Sequence, residues 1–407
     1  MSLNATPSAE RLHIGFFGIR NAGKSSVVNA VTNQDLSIVS DVKGTTTDPV
    51  KKAMELLPLG PVVVIDTPGI DDEGDLGAQR VAKAEKALRL CDIAVLVVDA
   101  TQGMQEADDR LVASFKAHSV PFVVAYNKAD LLDESSRSSL DLPDNALFVS
   151  AQTGEGIYEL KDLVGSRAKQ ADSDKRLVAD LLEENDIVVL VIPIDSSAPK
   201  GRIILPQQMV LRDGLDAHAV CISCQPENLE ATLASLERKP KIVITDSQAF
   251  GTVARIVPRD IWLTSFSILM ARYKGNLEDY AAGAAQLSRL TDDSLVLIGE
   301  GCTHHRQCDD IGTVKIPNWI RDFTGATPRF EFTSGGGFPD SLEKYDLVIH
   351  CGGCMLNDRE MRYRIASCRA AETPVVNYGI AIAEMHGILQ RSLEPFPQAS
   401  RAFEGSF

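Results

Sequence analysis

The chain has 407 residues, and its 41 basic residues (Lys and Arg) against 56 acidic ones (Asp and Glu) give a formal net charge of −15 at pH 7. Such a length predicts two or three domains, and the acidic surface disfavours general binding to nucleic acids or anionic membranes. No stretch approaches the about 18 uninterrupted apolar residues of a membrane span. The opening sequence MSLNATPSAERLH lacks the pattern of a signal peptide. We therefore expect a cytoplasmic protein with neither nucleic-acid nor membrane partners.

A glycine-rich loop follows the first apolar run, which ends at Gly18. The stretch GIRNAGKSS matches G-x-x-x-x-G-K-[ST], with Gly18, Gly23, Lys24 and Ser25 in register. In such a loop backbone N–H groups surround a phosphate, the lysine neutralises its charge, and the hydroxyl binds Mg²⁺. We predict that Lys24 and Ser25 act in catalysis on a nucleotide. The other predicted nucleotide contacts in this loop are Asn21, Ala22 and Ser26.

A second motif on the phosphate side follows the apolar run of residues 62–65. Asp66 and Gly69 open and close the sequence DTPG. A carboxylate at a strand end can reach Mg²⁺ through water, and a glycine amide there can meet the γ-phosphate. We predict catalytic roles for both, and for Thr46, chosen by register from three consecutive threonines as the one that approaches Mg²⁺.

The residues that would recognise the base follow the apolar run of residues 121–126. Asn127, Lys128 and Asp130 form the sequence N-K-x-D. The aspartate accepts two hydrogen bonds from guanine N1 and N2, which adenine cannot offer. We therefore predict GTP and GDP as ligands, with Ser150 and Ala151 in a further loop that contacts the base.

The order of these motifs predicts a doubly wound α/β fold, because they follow strands and alternate with helical stretches at residues 77–89 and 104–117. Residues 13–168 resemble the translation-factor class of small GTPases.

Asn21 and the sequence GTTTD resemble the potassium-activated GTPases of the tRNA-modification and Era-like branch. This resemblance implies that Asn21 helps to seat K⁺; the alternative is an amide that stabilises the loop. Ile70 replaces the glutamine of Ras-like proteins, which implies slow intrinsic hydrolysis.

The middle of the chain carries no catalytic constellation. The polar stretch at residues 166–176 predicts a linker, and the segments after it alternate between strand and helix patterns, which predicts a small α/β unit suited to a subunit interface. Cys221 and Cys224 could form a metal or redox pair. We favour packing residues in a strand and its turn, because no further Cys or His lies nearby in sequence.

Two clusters of metal-ligating residues stand in the last third, each just after a short apolar run, at residues 295–298 and 347–349. Carboxyl ends of strands are where α/β sheets hold ligands, so the clusters can converge on one site. Zinc and an iron-sulfur cluster both fit such donors, and spacing alone leaves both open. The candidate ligands are Cys302, His304, His350, Cys351 and Cys354. We interpret Cys308 and Cys368 as packing residues.

The whole sequence resembles the HydF family of [FeFe]-hydrogenase maturation GTPases, because a GTPase domain and a small α/β unit precede C-x-H-x₄₅-H-C-x-x-C. The boundaries that we expect are 1–170 for a GTP-binding domain, 171–258 for an α/β dimerisation domain, and 259–407 for an α/β cluster-binding domain.

The resemblance implies a homodimer and a [4Fe-4S] cluster held by Cys302, Cys351 and Cys354. The fourth position would be exchangeable, with His304, His350, a carboxylate such as Glu300, or solvent as candidates. It also implies a scaffold that receives a di-iron subcluster precursor from radical-SAM maturases and delivers it to apo [FeFe]-hydrogenase. Two alternatives remain: an Era-type GTPase that acts on RNA and has a structural zinc, and a redox enzyme with four thiolate ligands.

Overall fold

The computed structural model describes residues 11–33, 50–67, 84–85, 87–139, 141–170, 177–194, 203–275, 277–301, 310–335, 337–353 and 356–406. The chain divides into two compact units, Met1–Asp174 and Lys175–Phe407. Among the described helices, none combines the length and apolar character needed to cross a bilayer.

The described part of the first unit contains a six-stranded sheet in the order β2-β3-β1-β4-β5-β6, in which β2 runs antiparallel to β3 and the other neighbours are parallel. Its strands are β1 (Leu12–Phe17), β2 (Val50–Leu56), β3 (Gly60–Asp66), β4 (Ile93–Asp99), β5 (Phe122–Asn127) and β6 (Ala146–Phe148). The helices are α1 (Lys24–Thr32), α2 (Glu106–Ala117), α3 (Glu134–Ser139) and α4 (Ile157–Gln170).

This sheet is buried on both faces. All seven residues of β4 are buried, and two separate apolar clusters pack on the sheet, one including Val27 and Leu160, the other Leu88 and Phe115. Strands buried on both sides explain the unbroken apolar runs in the sequence. The predicted doubly wound α/β fold is therefore confirmed, and the stretch predicted helical at 104–117 forms α2. The helix predicted at 77–89 lies mostly outside the described residues.

The second unit contains two four-stranded sheets, ordered β10-β9-β7-β8 and β12-β11-β13-β14, whose described neighbours are all parallel. The strands are β7 (Ile187–Val191), β8 (Val220–Cys224), β9 (Ile242–Thr245), β10 (Trp262–Ser265), β11 (Leu295–Glu300), β12 (Arg329–Ser334), β13 (Leu347–His350) and β14 (Val375–Asn377). The helices are α5 (Leu205–Asp216), α6 (Leu229–Ala234), α7 (Phe250–Ile256), α8 (Phe266–Lys274), α9 (Leu277–Ala284), α10 (Ile316–Thr324), α11 (Asp358–Ala370), α12 (Tyr378–Met385), α13 (Leu389–Leu393) and α14 (Pro397–Glu404).

The position of β10 bears on the domain boundaries. This strand pairs in parallel with β9 over Trp262–Ser265, so the middle sheet extends beyond residue 258. We therefore propose that the middle segment ends between α8 and α9 rather than at 258. One apolar core also joins the two sheets, since Leu190 and Ile244 belong to the same buried cluster as Leu297 and Val348.

Gly283 allows α9 to lie directly against β14. A Cβ at this position would overlap with the backbone carbonyl of Val375. We expect Gly283→Ala to lower the free energy of unfolding by about 1–3 kcal/mol, because the helix must move away from the strand. Gly251→Ala in α7 is the matched control, since its Cβ would meet no atom within 4 Å. It should leave stability unchanged or raise it by up to about 1 kcal/mol. Equal denaturant midpoints for the two variants would contradict this packing argument.

Candidate functional site

The glycine-rich loop lies between β1 and α1. Its backbone turns through left-handed conformations at Asn21, with φ 66°, and at Gly23, with φ 84°. A side chain at Gly23 would collide with the Asn127 amide, so this glycine is required by close approach as well as by its backbone angle. Ser25 and Ser26 are exposed in the first turn of α1, where their hydroxyls are accessible to a ligand.

Lys24 and Asp66 meet at the carboxyl ends of β1 and β3. The Lys24 ammonium forms an ion pair with the Asp66 carboxylate, and the lysine is 8% exposed. Two opposite charges that are largely removed from water stabilise one another only while they remain paired. Lys24 is predicted to contact phosphate, and Asp66 is predicted to reach Mg²⁺. A bound nucleotide and its metal ion would therefore give both charges new partners in place of this pair.

The predicted base-recognition residues are tied together by Asn127. Its side chain donates to the Ala22 carbonyl at 3.0 Å and accepts from the Ala151 amide at 3.1 Å. The Asp130 carboxylate accepts a hydrogen bond from the Ser150 hydroxyl at 2.6 Å. The structure thus joins the phosphate loop to both predicted base loops through one buried amide.

Asp99 is a member of this site that the sequence analysis missed. It ends β4 and pairs with Lys128 at 2.5 Å. Desolvation of the Asp99 carboxyl acts to raise its pKa, but hydrogen bonds from Lys128 and Thr101 hold the pKa below the usual value. The charged carboxylate anchors Lys128, whose backbone is left-handed, with φ 65°. Its position after an apolar strand was the only sequence signal for it.

Thr46 and Gly69 lie outside the described residues, as do Cys302, His304 and Cys354. Their predicted roles therefore remain predictions. Among the residues that the structure describes, no group of three or more His, Cys, Asp or Glu side chains could hold a metal ion.

Cys351 stands where β11 and β13 end side by side. Its Sγ accepts hydrogen bonds from the Gly301 amide at 3.0 Å and from the Gly353 amide at 3.4 Å. Amide donors of this kind stabilise a thiolate and are typical around sulfur ligands of metal sites. Gly301 immediately precedes Cys302 in the first cluster of metal-ligating residues, and Cys351 belongs to the second cluster. The structure therefore places the backbone just before the first cluster next to the second. The two backbone amides around the Cys351 sulfur fit a thiolate that binds a metal.

His350, at the end of β13, is 1% exposed and has a partner at each ring nitrogen. Nε2 lies 2.8 Å from Nη1 of Arg364, and Nδ1 lies 2.8 Å from the Cys351 carbonyl. Because a guanidinium only donates, Nε2 must accept and Nδ1 must carry the hydrogen. Burial and the Arg364 charge lower the pKa of His350 to about 4. The ring is therefore neutral at pH 7.

Glu300, another candidate for the fourth ligand position, ends β11. Its side chain is buried, and Oε1 accepts a hydrogen bond from the Tyr378 hydroxyl at 3.3 Å. Burial, reinforced by the Glu300 charge, raises the pKa of Tyr378, so the phenol remains a donor.

Cys221 and Cys224 are half-buried, and Cys368 is buried. Cys221 and Cys224 both lie on β8, where burial raises the pKa of each thiol. Cys368 is fully buried in α11, and burial raises its pKa to about 12.

Comparison with known families decides the assignment. Residues 177–275 match the model described as the hydrogen maturase F dimerization domain, and residues 278–395 match the hydrogen maturase F tetramerization domain. The chain belongs to the hydrogen maturase F family. Residues 13–128 of this maturase F chain match the model of a 50S ribosome-binding GTPase. Both maturase F models are described as self-association domains, so the chain carries such domains as well as a GTPase domain.

Two curated GTPases each resemble less than half of this maturase F chain. GTPase Der of Kosmotoga olearia is 32% identical over 178 residues, which is 40% of each chain. The tRNA modification GTPase MnmE of Nitrosomonas eutropha is 30% identical over 156 residues, covering 38% of this chain and 34% of that one. A solved structure of Aquifex aeolicus Era is 18% identical with a TM-score of 0.33, covering 52% of this chain and 93% of that one.

The chain thus spans less than half the length of these curated GTPases. What it shares with them is a GTPase domain, which binds GTP or GDP with Mg²⁺. The predicted phosphate loop and the Asp66 motif lie within the matched residues, and the N-K-x-D motif begins there.

Proposed function

We propose that this maturase F chain is a GTP-hydrolysing scaffold that assembles a di-iron subcluster precursor and delivers it to apo [FeFe]-hydrogenase. The observation that supports it most is the Cys351 sulfur, which accepts two backbone amide hydrogens where two strands end, within the maturase F segment of a GTPase chain. Radical-SAM maturases would supply the precursor. The chain would act in the cytoplasm as a homodimer formed through the middle segment.

The nucleotide side of the proposal follows from charge and reach. Lys24 would leave Asp66 and neutralise the β- and γ-phosphates, while Ser25 and Thr46 would bind Mg²⁺ directly and Asp66 through water. The Gly69 amide would contact the γ-phosphate. With no glutamine after this glycine, turnover is expected to be slow.

Potassium dependence tests the proposed role of Asn21. We expect GTP turnover to fall several-fold, up to about tenfold, when Na⁺ replaces K⁺, because the Asn21 amide oxygen would coordinate the cation beside the phosphates. Asn21→Gly is the informative variant, since glycine adopts the left-handed backbone of this residue and removes only the amide. It should turn over GTP equally in both salts. Phosphate release is measured at matched ionic strength. Equal wild-type rates in the two salts would refute the proposed coordination of K⁺ by Asn21.

On the metal side, Cys302, Cys351 and Cys354 would hold a [4Fe-4S] cluster. When bound, this cluster would supply an iron with one exchangeable ligand position to which the precursor can attach. The chain's contribution is to fix the donors: the amides of Gly301 and Gly353 orient the Cys351 sulfur and stabilise its negative charge.

The decisive experiment is a transfer assay. The chain is coexpressed with radical-SAM maturases, purified without oxygen, and incubated with apo-hydrogenase; hydrogen evolution that depends on the chain is the expected result. Iron and acid-labile sulfide are measured on the same samples. Zinc in place of iron and sulfide, with no hydrogen evolved, would refute the scaffold and favour the RNA-directed GTPase with a structural zinc.

A further inference from the structure

Two buried cations hold the backbone next to Cys351. The described residues Cys351, Gly352, Gly353 and Leu356 are called the cysteine loop here. Lys274, the last residue of α8, is 5% exposed and donates from Nζ to the carbonyls of Gly353 at 3.2 Å and Leu356 at 3.5 Å. The loop is therefore bound from the side of the middle segment by a charged donor.

The second cation, Arg364, is fully buried, and its guanidinium reaches the loop through His350. Besides donating to His350, Arg364 donates to the Gly335 carbonyl at 2.6 Å and to Glu360 at 2.9 Å, and its Cζ lies 4.9 Å from the Phe338 ring centroid. A guanidinium fixed by these partners fixes the imidazole in turn. The hydrogen on Nδ1 then binds the Cys351 carbonyl.

We propose that Lys274 and Arg364 are positioning residues for the cysteine loop, with Arg364 acting through His350. Lys274 donates directly to the carbonyls of Gly353 and Leu356, and hydrogen bonds from charged donors are stronger than neutral ones. Arg364 orients the neutral imidazole that donates to the Cys351 carbonyl. His350 then serves to hold the loop, because both of its ring nitrogens are occupied by this chain of contacts.

Lys274 also has an electrostatic consequence, whereas the charge of Arg364 is offset by its ion pair with Glu360. Lys274 and Cys351 line the same cavity of ≈ 170 Å³, and water screens charges in such a place poorly. A thiolate-bound cluster carries negative charge, so nearby cations favour its reduced state. This part of the inference deepens the proposed function and rests on it; the positioning of the loop does not require a cluster.

Hydrogen exchange on the metal-free chain tests the positioning directly. Lys274→Met keeps the length of the side chain and removes its charge, and Arg364→Gln removes the contact with His350. In both variants, amides of residues 349–361 should exchange about tenfold faster or more than in the wild type. Exchange within twofold of wild type in both variants would overturn the proposal.

Arg391 supplies the matched control. It is a buried arginine whose guanidinium likewise donates to backbone carbonyls, those of Ala254, Val257 and Pro258. Arg391→Gln should accelerate exchange around these residues and leave residues 349–361 at the wild-type rate. Acceleration of residues 349–361 to the same extent as in the Lys274 and Arg364 variants would show general destabilisation and overturn the proposal.

A redox measurement tests the electrostatic part. In the reconstituted wild-type chain and its variants, the midpoint potential is followed by electron paramagnetic resonance. Lys274→Met should shift the potential to a more negative value, and Lys274→Arg, which keeps the charge, should restore it. An unshifted potential in Lys274→Met would overturn the electrostatic part. A wild-type chain that takes up no iron or sulfide would refute the proposed function, while hydrogen exchange still decides the positioning roles.

Discussion

Lys24→Ala is expected to lower GTP turnover by about 100-fold or more, as the loss of one preorganised charged donor commonly does. The substitution removes the ammonium that would neutralise the β- and γ-phosphates. It also leaves the largely buried Asp66 carboxylate without its Lys24 partner in the nucleotide-free protein. Phosphate release under saturating GTP measures the effect.

The iron content of this variant carries equal weight. Lys24 and Cys351 lie in different compact units, so anaerobic reconstitution should load Lys24→Ala with as much iron as the wild type. Lys116→Ala is the matched control, because Lys116 is exposed on α2 and outside the nucleotide site. It should behave as wild type in both assays. Loss of iron from Lys24→Ala alone would show that the two sites are not independent.

Cys351→Ala is expected to weaken iron binding by about 100-fold or more, since even partners behind a ligand contribute about 10–100-fold to metal affinity. The change removes the sulfur that accepts the Gly301 and Gly353 amides. After reconstitution, iron and sulfide per chain should fall sharply, and delivery to apo-hydrogenase should be lost with them. GTP turnover should stay at the wild-type rate.

Cys368→Ala is the control that distinguishes the loss of a metal ligand from the loss of a thiol in general. Cys368 is as buried as a cysteine can be, with its pKa raised to about 12 by that burial, so it stays protonated. Its replacement should cost stability by leaving a small cavity but should keep the iron. If both variants retained wild-type iron, Cys351 would not be a ligand.

The local structure that the sequence predicted well is set by residues that are close together in the chain. The glycine-rich loop, with Lys24 at the start of α1, is specified by a few adjacent residues, because turn and helix start follow from short-range backbone rules. The same holds for the apolar runs at residues 62–65 and 121–126, which correspond to the largely buried strands β3 and β5.

What the sequence did not predict depends on distant partners. Asp99 meets Lys128 across 29 positions, and Lys274 meets Gly353 across 79. A buried charge looks unfavourable in sequence until the fold supplies its partner. The strand Trp262–Ser265 escaped prediction for another reason: four residues are too few to display a period, and only pairing with β9 defines it.

The common core of the second unit has a consequence for how this family assembles. The segments that match the dimerization and tetramerization models share a single continuous body of buried side chains, with Leu190 and Ile244 on one side and Leu297 and Val348 on the other. Close-packed interiors transmit strain instead of absorbing it. Recruitment of another subunit at either segment would thus act on one packed core that includes Val348 and Ile349 of β13, the strand that leads into the cysteine loop.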